Sequence, residues 1–195
     1  MAIKKEKKRQ ASNEKYIDVL QEKYSKICIV RVDLGYKKDE NNQINVTLEE
    51  INKDVDRLLN NRRNNLTTFE HNVGYVIKTE SGKDRGPHIH ALLLFDGNKV
   101  QKDIFKGDQI GKYWVDNITK GNGSYHNCNR NNYKEDATGM LDYRDTEKRR
   151  NLNNAMAYLS KDEQSIDLLK ENKKDRAIRR GTVPKEKSNK GRPRR

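Results

Sequence analysis

Apolar positions along this chain fall into a few short patterns separated by long polar stretches. In KICIVRVDLGY, Lys26 to Tyr36, residues Cys28, Val30, Val32 and Leu34 share one face, and Ile27, Ile29, Arg31 and Asp33 share the other. One face is wholly apolar and β-branched residues dominate, so a strand is expected. TLEEINKDVDRLLNNRR follows a polar loop. Thr47 with Glu50 three residues later has the spacing of a capping box, and Leu48, Ile51, Val55, Leu58 and Leu59 recur at helical intervals. NVGYVIKTE (Asn72 to Glu80) and HIHALLLF read as two further strands. The turn-rich SGKDRGP between them is short enough for an antiparallel hairpin. Ile89 to Phe95 is apolar on both faces, as a central, doubly covered strand would be.

Beyond the hairpin the pattern weakens. Val100, Ile104, Trp114 and Ile118 suggest helix, against which Gly107 and Gly111 count. KGNGSYHNCNRNNYKEDATGMLDYR reads as polar loop with room for one short strand. DTEKRRNLNNAMAYLSKDEQ reads as a helix capped at Thr146, with Leu152, Met156 and Leu159 on its apolar side. The order β, α, β, β, α, loop, α predicts an α+β fold: a central antiparallel sheet with helices packed on it. Residues 1–15 are expected to be a basic disordered arm, residues 16–169 the folded domain, and residues 170–195 a basic disordered tail.

Composition narrows the partners. The net charge is +13 over 195 residues, and the isoelectric point is about 9.6. Such a surplus of Lys and Arg points to nucleic acid, whose phosphates release counterions when neutralised. The basic N-terminus lacks the apolar core of a secretory signal, and no stretch has the length needed to span a membrane. A cytoplasmic location in a bacterial host cell is therefore expected. Cys28 and Cys128 form no CxxC pair and suggest no disulfide framework.

The chemistry concentrates at the hairpin. His88 and His90 alternate on one strand and so face the same way. Glu80 ends the preceding strand, just across the turn. Two imidazoles and a carboxylate can hold one divalent ion, Mg²⁺ or Mn²⁺, with positions left for water or phosphate oxygens. The competing possibility is a pair of core histidines hydrogen-bonded to backbone. Spacing disfavours other His-x-His enzymes. A histidine-triad hydrolase would need a third His where Leu92 stands, and a cupin would need a Glu where Leu93, Leu94 and Phe95 stand. His126 and Cys128 in YHNCN are a weak second metal pattern.

PHIHALLLF with Glu80 upstream and AYLSK downstream resembles the HUH endonuclease superfamily, and within it the replication initiators of filamentous-phage (inovirus) type. The resemblance covers the middle of the chain, from ICIVRVDLGY through YLSK, plus a basic GRPRR ending. It implies a Rep-like, RRM-related antiparallel sheet carrying the metal site. It also implies cleavage of single-stranded DNA by Tyr158, with Lys161 assisting, through a 5′-phosphotyrosine that frees a 3′-hydroxyl for a polymerase. Rolling-circle replication of a phage, prophage or plasmid would follow, with origin DNA and a host helicase and polymerase as partners. No GxxxxGK[ST] motif supplies a helicase in this chain. Some phage initiators carry two tyrosines one helical turn apart; here those positions are Asn154 and Asp162. A relaxase or transposase of the same superfamily, or a non-catalytic DNA-binding regulator, are the alternatives.

Arg85 in the hairpin turn, and Lys190, Arg192, Arg194 and Arg195 in the tail, are candidate DNA contacts. The tail's Gly-Arg-Pro core is similar to an AT-hook, a segment that lies in a narrow A·T minor groove.

Overall fold

The computed structural model describes residues 2–82, 85–161 and 177–184. Among these, six strands form one antiparallel sheet: β1 (Lys26–Tyr36), β2 (Asn72–Gly82), β3 (Gly86–Asp96), β4 (Gly123–Asn127), β5 (Gly139–Asp142) and β6 (Ile178–Arg180). Their order is β4-β1-β3-β2-β6, and β5 also pairs with β1. The β2–β3 hairpin forms as the turn residues predict, and β3 is central, flanked by β1 and β2. Its burial on both faces explains the unbroken apolar run from Ile89 to Phe95.

Helices cover both faces. Cys28, Val30, Val32 and Leu34 of β1, with Ile77 of β2 and Ile89, Ala91, Leu93 and Phe95 of β3, pack against α2 (Leu48–Asn61), α4 (Asp103–Tyr113) and the π-helical turn Trp114–Ile118 that continues α4. The capping box of α2 is present: Thr47 Oγ1 accepts from the Glu50 amide, and Glu50 accepts from the Thr47 amide at 2.8 Å. The two glycines expected to weaken α4 instead let it approach the sheet. A Cβ on Gly107 would meet the Asn127 side chain at 2.5 Å, and one on Gly111 would overlap the Tyr125 ring. The short helix α3 (Leu66–Phe69) leads into β2.

On the opposite face, Ile27, Ile29, Val76, Leu92 and Leu94 pack against α1 (Ala2–Lys23) and α5 (Thr146–Ser160). α5 is capped by Asp145 rather than Thr146: the Asp145 carboxylate accepts from the Lys148 amide at 2.9 Å. Its apolar side is the expected one, Leu152, Met156 and Leu159.

Two boundaries need correction. The arm expected to be disordered over residues 1–15 is helical from Ala2, and α1 runs across the boundary at residue 16. Tyr16, Ile17 and Leu20 are buried. Asn13 donates to Ser160 Oγ at 3.4 Å, and Arg149 of α5 pairs with Asp18 at 2.5 Å. Charge made this segment look disordered, yet one short apolar stripe suffices to dock it. Likewise β6 lies within the stretch assigned to the tail, where it pairs with β2 at the sheet edge. Lys190, Arg192, Arg194 and Arg195, and the GRPRR ending, lie outside the described residues. No helix among the described residues is long and apolar enough to cross a membrane.

Candidate metal centre

Strand register builds the site. Glu80 pairs with His88 and Lys78 with His90 across the hairpin, while Asp33 of β1 pairs with His90 from the other side. Residues directly opposite each other in antiparallel strands point to the same face. Lys78, Glu80, His88, His90 and Asp33 therefore share the α1/α5 face, beyond the end of its apolar core.

Glu80, His88 and His90 are all buried, and one ligand atom from each lies within 4.8 Å of the others. Glu80 Oε2 is 3.1 Å from His90 Nε2 and 3.5 Å from His88 Nε2. The other ring nitrogen of each histidine is already engaged. His88 Nδ1 lies 3.0 Å from the Gly86 carbonyl oxygen, and His90 Nδ1 lies 2.7 Å from Asp33 Oδ1. Each Nδ1 is thus held by an oxygen partner and each Nε2 is directed at Glu80, the orientation that an outer oxygen partner gives a metal-ligating histidine. Lys78 Nζ sits 2.5 Å from Glu80 Oε1 and leaves Oε2 for the histidines. Two imidazoles and one carboxylate oxygen thus fit a divalent cation.

The electrostatics are those of a buried carboxylate ringed by donors. Burial alone would raise the Glu80 carboxyl, but hydrogen bonds from His88, His90 and Lys78 hold it well below the usual carboxylate range. Burial likewise works against the His90 imidazolium, yet hydrogen bonds and charge from Asp33 and Glu80 push it up to about 9. Asp33 is held low against its burial, chiefly by His90. His90 thereby stands beside Lys78 as a second positive group against the Glu80 carboxylate.

Tyr158 stands at the edge of this cluster. It is 49% exposed on α5. The Nζ of Lys78 and the Nζ of Lys161 each lie 5.9 Å from its ring centroid. Lys78 therefore lies between the Tyr158 ring and the Glu80 carboxylate. The helix expected to run through Lys161 ends at Ser160: Lys161 is the extended C-cap of α5, with its amide donating to the Tyr158 carbonyl. Arg85 is exposed in the hairpin turn.

Lys78 and Asp33 escaped the sequence reading as site residues. The parity of β2 places Lys78 with Glu80, and the parity of β1 places Asp33 beside Arg31. Only the register between strands brings them to the histidines. The second metal pattern does not close. His126 is exposed, whereas burial pushes the Cys128 thiol up to about 11. Among the described residues, Glu80, His88 and His90 are the one group of three suited to a metal.

Neither the curated proteins nor the solved structures compared with the chain include a match. A family model does match, over residues 3–175, nearly the whole described fold from α1 through α5. The chain belongs to the YagK/YfjJ C-terminal domain family.

Proposed function

We propose that this protein is a divalent-metal-dependent endonuclease of the HUH type, which nicks and rejoins single-stranded DNA through Tyr158 and thereby starts rolling-circle replication of a phage, prophage or plasmid. One observation carries the reading. Glu80, His88 and His90 converge on one point, and Lys78 joins that point to the ring of a half-exposed tyrosine. The net charge of +13 suits a polyanionic substrate.

Glu80 Oε2 and the two Nε2 atoms would hold Mg²⁺ or Mn²⁺. The bound ion would supply Lewis acidity toward the scissile phosphate. The chain's own residues do the rest. Phenols keep their proton at neutral pH, so attack needs positive charge where negative charge develops. Lys78 and Lys161 place two ammonium groups beside the Tyr158 ring. The Tyr158 oxygen bonds to phosphorus as the phosphorus–O3′ bond breaks. The phenol proton passes to solvent, the departing 3′-oxygen takes one from solvent, and the downstream strand remains linked as a 5′-phosphotyrosine. Reversal by a 3′-hydroxyl rejoins the strand without an energy source.

The test is a denaturing gel of protein incubated with 3′-labelled single-stranded DNA from the replicon that encodes it, with Mn²⁺. A labelled covalent band that requires Mn²⁺ and disappears in Tyr158→Phe is the expected result. No band from the wild-type protein would leave a DNA-binding protein without this chemistry. A band that persists in Tyr158→Phe would move the nucleophile elsewhere.

A further inference from the structure

The metal centre has two sides, and only one of them is taken by Tyr158. From Lys78 on β2 the same face runs through His90 and Asp33 to His126 on β4, and from Glu80 it runs through His88 and Gly35 to Ser124. On this β1–β4 side a cavity of about 290 Å³ opens directly beside His88 and Asp33. Its volume is near the lower end of the roughly 300–1,000 Å³ usual for small-ligand sites.

The cavity exists because β1 carries a glycine there. A Cβ on Gly35 would stand 3.3 Å from Ser124 Oγ and 3.9 Å from His88 Cβ, so any longer side chain would project into the space between them. Ile44 forms an apolar wall beside Gly86, where an added Cβ would come within 3.0 Å of it. Lys38, Arg85 and His126 line the rim. An apolar wall, a flat backbone floor and basic groups at the mouth suit one unstacked base with its phosphate.

We infer that this cavity holds the nucleotide bearing the leaving 3′-oxygen, upstream of the scissile phosphate. The inference rests on the nuclease reading above. Displacement at phosphorus places the attacking and leaving oxygens on opposite sides of the phosphorus atom. With the Tyr158 oxygen entering from the β2 side, the phosphorus–O3′ bond breaks toward Gly35, and the nucleoside beyond it enters the cavity.

The probe is a mixed-sequence single-stranded octanucleotide ending in a 3′-hydroxyl, the form of the released upstream product. Its Kd, read by fluorescence anisotropy in Mn²⁺, should rise about tenfold or more in Gly35→Val. It should be unchanged in Tyr158→Phe, and Mn²⁺ affinity should be unchanged in Gly35→Val, which shows that the metal centre still forms. An equal octanucleotide Kd in wild-type and Gly35→Val overturns the subsite. The two readings separate cleanly. A wild-type covalent adduct formed at the same rate in Gly35→Val rejects the cavity and keeps the nuclease. Loss of octanucleotide binding in Gly35→Val, with no adduct from the wild type, keeps a nucleotide pocket and rejects the nuclease.

Discussion

Asp33 Oδ1 lies 2.7 Å from His90 Nδ1, and that contact turns the other ring nitrogen of His90 toward Glu80. The two residues are 57 positions apart and meet only because β1 pairs with β3 in one register. Removing the charge from Asp33 should be visible at His90. In metal-free Asp33→Asn, the imidazole titration midpoint should fall from about 9 toward the ordinary value of about 6.5. Imidazole NMR resonances followed against pH give the midpoint, and an unmoved midpoint would mean that Asp33 does not orient this ring.

The same groups set how stability varies with pH. His90 is raised in the folded protein, so its contribution is complete below about pH 6.5 and is lost as pH climbs through about 9. Asp33 and Glu80 are depressed, so theirs are present above about pH 4 and are lost as pH falls through their lowered values. Urea denaturation in chelator should therefore show greatest stability in mildly acidic solution. Excess Mn²⁺ should reverse the alkaline decline, because the ion takes the deprotonated ring and its binding releases a proton. A flat profile between pH 6.5 and 9 in chelator would contradict the His90 assignment.

Helix propensity and packing make opposite forecasts for Gly111. Propensity alone would have Gly111→Ala stabilise α4 by about 1 kcal/mol. The new Cβ would instead overlap the Tyr125 ring, and overpacking costs about 1–3 kcal/mol. Packing should win, since Tyr125 is wedged between α4 and the sheet. Chemical denaturation of Gly111→Ala should show net destabilisation; a more stable variant would mean that α4 stands off from β4.

The docking of α1 can be weighed through Leu20, which is fully buried. Leu20→Ala should cost about 2–5 kcal/mol by equilibrium denaturation. A detachable arm would give almost no change.

Much of the frame was legible in the residues. β1 and α2 announce themselves by periodicity, the β2–β3 hairpin by its turn residues and the apolar run of β3, and Thr47 with Glu50 marks where α2 begins. Glu80, His88 and His90 could be grouped because they flank a single turn, so their proximity is a local matter. What escaped depended on distant partners. Among the described side chains, α1 contributes three large apolar ones to the core amid many charges, and it reads as solvent-exposed until α5 and the sheet are in place. β4, β5 and β6 are three to five residues long and mostly polar, since they lie beside long strands that supply the apolar surface. Lys78 looked like an ordinary strand lysine. Its burial at 2% exposure follows from Glu80 beside it, Tyr158 above it and β6 along its edge.

The most direct measurement is calorimetric titration of Mn²⁺ into the metal-free protein. One ion should bind per chain. Affinity in Glu80→Gln, His88→Ala and His90→Ala should fall in each case by more than the roughly 100-fold that loss of an outer partner costs. An absence of binding by the wild-type chain, or binding unaltered when His88 and His90 are both replaced by alanine, would contradict a metal centre at these three residues.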